Sequence, residues 1–139
     1  MNSISAREAL MHYNYARFAH AKDFVFRMWC ALAIERQQRT PEDLSGACKY
    51  GSLFMQQVFG GSIEGHYAHQ FNRIDTRVVD LSHDALDVSR MRTPYLHEAE
   101  YFNIPEYRIA LQACTPRVDN WTLAFLREAG AEGASSGQM

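Results

Sequence analysis

The chain has 139 residues, 47% hydrophobic and 22% charged, enough for one domain with a buried core and too apolar for a disordered segment. Its net charge is −2 with no run of one sign, which argues against nucleic acid as the partner, because a phosphate-binding surface shows a basic stripe. No apolar stretch reaches the roughly 18 residues of a membrane span, no secretory h-region opens the chain, and three cysteines (Cys30, Cys48, Cys114) are a poor disulfide framework, so a cytoplasmic protein without a membrane partner is expected.

Ser5 and Glu8 have capping-box spacing, and Leu10, Met11, Tyr13, Tyr15 and Phe18 follow at helical intervals. A helix is predicted over 5–19. FVFRMWCALAI, residues 24–34, is apolar nearly all round and predicts a buried helix, with Cys30 in the core. TPEDLSGA, residues 40–47, reads as a loop. Residues 48–59 predict the next helix, stopped by Gly60 and Gly61.

The period then changes. Two antiparallel strands are predicted at 66–74 and 77–81, with a short strand near Ile63 before them. Ser82 reads as the N-cap of a short helix, HDALDV. Residues 91–107 read as mostly irregular. Tyr107–Cys114 reads as helix, and Thr115–Pro116 as the start of a last helix reaching about Ala129. The expected organisation is a single α+β domain over 1–130 with a helical segment at 1–38, then a flexible tail at 131–139.

Cys48 stands at the mouth of a predicted helix. The thiolate is the nucleophilic form of cysteine, and a helix N-terminus and a nearby imidazolium both favour it. Strand geometry selects the histidine. His66 and His69, three apart on one predicted strand, face opposite ways, so only one can meet Cys48. With Asp75–Thr76 as a two-residue turn, Phe71 opposes Asp80. His69 and Asp80 then share a face as diagonal neighbours. Cys48 as nucleophile, His69 as general acid–base and Asp80 as the group orienting His69 form the candidate triad. Asp80 has a rival role as a carboxylate at the start of the helix capped by Ser82.

No metal is expected. His66, His69, His83 and Asp84 lack ligand spacing, and the chain has no C-x-x-C or helical H-E-x-x-H. No Walker or G-x-G-x-x-G motif occurs, and no cofactor is expected.

The stretch GACKYGSLFMQQVFGG…HQFNRIDTRVVDLSHDAL resembles the YunG-like family of small bacterial proteins. Matching residues are Gly46, Cys48, Phe59, Gly60, Gly61, His69, Asn72, Arg73, Val79, Asp80 and Leu81. The order of cysteine, histidine and aspartate is also similar to papain-like and transglutaminase-like thiol enzymes. The resemblance covers roughly residues 40–110. It implies helices packed on a small antiparallel sheet in the papain/transglutaminase-like arrangement. It also implies thiol-dependent hydrolysis or transfer at an amide, isopeptide or thioester.

The chain departs from the family pattern at Ala47, where the family has glutamine, and at Phe71, where it has tryptophan. Oxyanion donors are therefore sought in the Cys48 N–H and in Asn72, Gln37 or Gln38. The alternative is a non-catalytic module on the same fold that binds a bacterial or host protein. The aromatic N-terminal helices, with Tyr13, Tyr15, Phe18, Phe24, Phe26 and Trp29, either bury against the core or form a face on which two copies could pair.

Overall fold

A computed structural model describes the backbone of residues 4–137 and the side chains of residues 7–130. The strands are β1 (Ile4–Arg7), β2 (Gly61–His66), β3 (His69–Ile74) and β4 (Arg77–Val79), joined in chain order into one antiparallel sheet. The helices are α1 (Tyr15–Glu35), α2 (Cys48–Phe59), α3 (Leu86–Ser89) and α4 (Pro105–Gly137), with a 3-10 turn at Ala99–Asn103. The fold is α+β, with helices packed on a small antiparallel sheet. Among the described residues, no helix is long and apolar enough to cross a membrane.

The core centres on three phenylalanines from three helices. Phe54 of α2 stacks on Phe24 of α1 at 5.7 Å and meets Phe125 of α4 edge-on at 5.2 Å. All three are buried. Tyr13, Phe18, Phe26 and Trp29 pack against this core, whereas Tyr15 stands 81% exposed.

The predicted helix over 5–19 does not form. Residues 4–7 are a strand instead, pairing Ile4 with Ile63 and Arg7 with Gly61. Beyond it, the Leu10 and Met11 N–H groups both donate to the Val58 carbonyl near the end of α2, at 2.9 and 3.0 Å. The free edge of β2 and an orphaned helix carbonyl claim this segment over its capping box. The helix starts at Tyr15, where the Asn14 side chain caps it by accepting from the Arg17 N–H at 2.8 Å.

The helix over 48–59 has the predicted bounds. Gly60 ends it with φ 77°, and its amide donates to the Gln56 carbonyl. Here β1 crosses so closely that a Cβ on Gly60 would lie 2.6 Å from the Arg7 carbonyl oxygen. Only glycine fits both constraints.

The predicted strand over 66–74 is broken by a turn at Tyr67–Ala68, so His66 and His69 are cross-strand partners rather than neighbours on one strand. The short strand near Ile63 is the six-residue β2. The second turn is at Asp75–Thr76, both with positive φ (51° and 65°), as a two-residue hairpin turn with the right twist demands. It pairs Asn72 with Val79 and Arg73 with Val78. β4 stops at Val79, not at residue 81.

Ser82 caps no helix. α3 starts four residues later, and its N-terminus is served from a distant loop: Asp43 Oδ2 accepts from the Leu86 N–H at 2.8 Å. That bond, together with the Ser45 N–H, holds the Asp43 carboxyl below the usual carboxylate range.

Pro116 does not open a new helix but lies inside α4. Tyr107, Leu111, Cys114, Val118, Trp121 and Phe125 form one unbroken buried stripe that spans it. Packing along that stripe offsets the hydrogen bond a mid-helix proline loses. The tail expected at 131–139 falls on residues whose side chains, and at 138–139 whose backbone, lie outside the described residues.

Candidate active site

The loop that delivers Cys48 is knitted to α3. The Gly46 N–H donates to Asp87 Oδ2 at 2.9 Å, and the Asp87 N–H donates to Ser45 Oγ at 3.2 Å. Asp43 closes the same loop by accepting from the Ser45 N–H at 2.9 Å. Ala47 is buried behind it. These bonds set the angle at which the chain enters α2 and leave Cys48, the first residue of the helix, half-buried.

The first turn of α2 sits over the start of β3, so the Cys48 thiol meets two consecutive residues. Sγ donates to Gln70 Oε1 at 3.1 Å. The neighbouring His69 ring lies close enough to feel the sulfur. Gln70 is fixed from behind, because its Nε2 donates to the His66 carbonyl at 2.8 Å. That bond dictates which end of the amide faces the sulfur.

His69 Nε2 donates to Asp80 Oδ2 at 2.7 Å, and both side chains are almost wholly buried. With Nε2 committed, Nδ1 is the ring nitrogen left for the sulfur. Asp80 Oδ1 accepts from the Ser82 N–H at 2.9 Å. The carboxylate therefore fills two roles, holding the imidazole and shaping the turn after β4. Tyr95 covers the pair: its ring lies 6.2 Å from that of His69 and 5.2 Å from that of Phe71, and its hydroxyl feels the Asp80 charge. Burial and the Asp80 charge push the Tyr95 hydroxyl up to about 12.

Burial alone would push the His69 pKa down. The Asp80 hydrogen bond and charge, with a smaller part from Cys48, outweigh it and raise His69 from 6.5 to about 9. The ring is thus an imidazolium at neutral pH, held between a carboxylate and a sulfur.

Cys48, His69 and Asp80 are brought together in space. The weaker candidates are not donors to the sulfur. Asn72 lines the same small void as Cys48, but its Nδ2 donates to the Ser52 carbonyl at 2.9 Å. Gln37 and Gln38 are exposed just past the end of α1, and no hydrogen bond joins either side chain to the three residues among the described ones. The imagined metal ligands are scattered. His66 Nδ1 accepts from the Ala68 N–H, and His83 sits beside Lys22, which pairs with Asp84 at 2.6 Å. No group of three or more His, Cys, Asp or Glu among the described residues could hold a metal ion.

A groove of about 700 Å³, lined by Phe18, Lys22, Phe26, Asp43, His83 and Asp84 among others, touches none of the three. Cys114 is buried on α4, and burial pushes its thiol up. Cys30 is half-buried and points at the Pro41 carbonyl.

Gln70 was no candidate in the sequence, and the aromatics Tyr95, Tyr101 and Tyr107 fit there a roof over the core or a cleft, with nothing to say which residues they cover. Gln70 had one available clue, a polar residue at a strand position that alternation sends toward the helix. The three tyrosines come from the irregular stretch and its edge, where no periodicity assigns a face.

No family model matches the chain, and comparisons with curated proteins and with solved structures return no match either.

Proposed function

We propose that this protein carries out thiol-dependent acyl chemistry, hydrolysis or transfer at an amide, isopeptide or thioester. One observation carries the reading: a half-buried cysteine at a helix N-terminus lies beside a buried histidine that is held by a buried aspartate. The resemblance of residues 40–110 to the YunG-like family, and the cysteine–histidine–aspartate order of papain-like and transglutaminase-like enzymes, agree with it.

In this reading the Cys48 thiolate attacks the carbonyl carbon while the His69 imidazolium stands beside it. Collapse of the tetrahedral intermediate breaks the bond to the leaving group, which takes the proton of His69. Water or an amine then attacks the thioester, the neutral imidazole removes its proton, and collapse breaks the carbon–sulfur bond, releasing the product and restoring the thiolate and imidazolium. Asp80 keeps the ring oriented throughout.

The test is mass-detected acylation by a p-nitrophenyl ester and by a small thioester. A single acyl group on Cys48, absent in Cys48→Ser and slowed strongly in His69→Ala, supports the reading.

A non-catalytic interaction module is the second reading, and one feature favours it. The void beside Cys48 leaves no room for a water molecule, and the sulfur's acceptor there is a carbonyl oxygen of Gln70. An unreactive Cys48 whose alkylation by iodoacetamide is unchanged in His69→Ala supports that reading instead.

A further inference from the structure

Helix α1 buries Phe24 in the core and leaves a second apolar stripe uncovered on its opposite side. Tyr15 and Phe26 lie on that stripe about three turns apart. With Phe18 and Leu44 they give the groove of about 700 Å³ a mostly apolar surface. Tyr15 stands in solvent, and an exposed aromatic surface of this kind marks an interaction site.

The charges of the groove are unequal. Asp23, Glu42, Asp43 and Asp84 line it against a single ammonium, Lys22. Lys22 is spent on Asp84 at 2.6 Å, and Asp23 is paired with Arg27 at 2.9 Å. Glu42 is exposed and has no ion pair or hydrogen bond among the described residues. Asp43 is bonded to Ser45 and to the Leu86 N–H, neither of them a cation. The groove therefore suits a cation carried on an apolar segment.

The chain itself carries such a segment. Residues 90–96, RMRTPYL, hold two arginines and no acid. Arg90 and Arg92 are exposed and without a partner among the described residues, and Tyr95 and Leu96 are exposed beside them. The segment adjoins the groove, because Phe18 and His83 line both the groove and the neighbouring pocket that contains Tyr95. Groove and segment sit side by side on one face. A two-fold axis between them brings the segment of each copy to the groove of the other, so that every contact is made twice.

We propose that this face is a homodimer interface, in which residues 90–96 of one copy dock in the groove of the other. Arg90 and Arg92 meet Glu42 and Asp43, and the exposed edges of Tyr95 and Leu96 cover the aromatic stripe of α1. A second copy is the occupant because the complementary charge and the complementary apolar side chains are both present in this chain, next to the groove they fit.

Sedimentation equilibrium of the full chain tests this, with the thermal midpoint of each variant as the check on folding. The wild type should dimerise at micromolar concentration. Glu42→Arg and Arg92→Glu, both at exposed positions, should each raise the dimer Kd about tenfold or more, because repulsion replaces attraction at two equivalent contacts. The double variant restores opposite signs, and its Kd should return to within about threefold of the wild type. A dimer indifferent to both single reversals, or a double variant as weak as the singles, overturns the proposal. A wild type that stays monomeric also overturns it and leaves the groove to a basic segment of another protein.

Discussion

Asp80 grips His69, carboxylate oxygen to Nε2 at 2.7 Å, in a place where neither side chain meets solvent. A charged pair in such a place is costly unless every remaining polar atom finds a partner. Here Asp80 Oδ1 takes the Ser82 amide, Tyr95 covers the pair, and the Cys48 sulfur lies near the ring.

Breaking this pair from one side should be severe. Asp80→Ala leaves a buried ring without its counter-charge and frees the Ser82 amide. A loss of about 3–5 kcal/mol in urea unfolding is expected, with Cys48 alkylation slowed as well. A loss under about 1 kcal/mol would show that the pair is exposed in solution.

The pH dependence of stability follows from the raised His69 value. The folded ring binds its proton up to about 9, while the unfolded ring releases it near 6.5. The folded state therefore holds more protons across that interval, and stability falls as pH rises through it. The stabilisation is fully present below about pH 6.5 and lost by about pH 9, a drop of about 3 kcal/mol. Urea unfolding at stepped pH should show this slope, and His69→Gln should flatten it. Activity should also decline on the alkaline side, where the leaving group loses its acid.

Gln70 restrains the thiol. Its Oε1 accepts the Cys48 S–H, a hydrogen bond the sulfur must give up before it reacts, and its amide nitrogen is tied to the His66 carbonyl. Gln70→Leu removes that acceptor. A hydrogen bond worth about 1 kcal/mol corresponds to roughly fivefold in the equilibrium, so iodoacetamide should modify Cys48 about fivefold faster at neutral pH. A slower rate would mean that Gln70 activates the sulfur instead.

Gly61 has φ 75°, and a Cβ there would collide with the Arg73 carbonyl across the β2–β3 ladder. Gly61→Ala should cost about 1–3 kcal/mol from backbone strain, seen as a lowered unfolding midpoint. Ala substituted at the exposed, helical Gly130, with nothing near its Cβ, should be neutral or stabilising.

What could be read along the chain was whatever local chemistry decides. The α2 helix was legible because a glycine pair stops it. The β3–β4 register was legible because Asp75–Thr76 can only make a two-residue turn, and an even turn keeps His69 in phase with Asp80. What could not be read was whatever a distant partner decides. Residues 4–7 became a strand because β2 offered an open edge, and Pro116 stayed inside α4 because the buried stripe on either side outweighs one lost hydrogen bond. Gln70 and Tyr95 joined the site because β3 and the loop after α3 meet beside Cys48, His69 and Asp80. Short-range propensity and turn geometry act within a few residues. Burial and edge pairing depend on segments tens of residues apart, and only the folded chain brings those together.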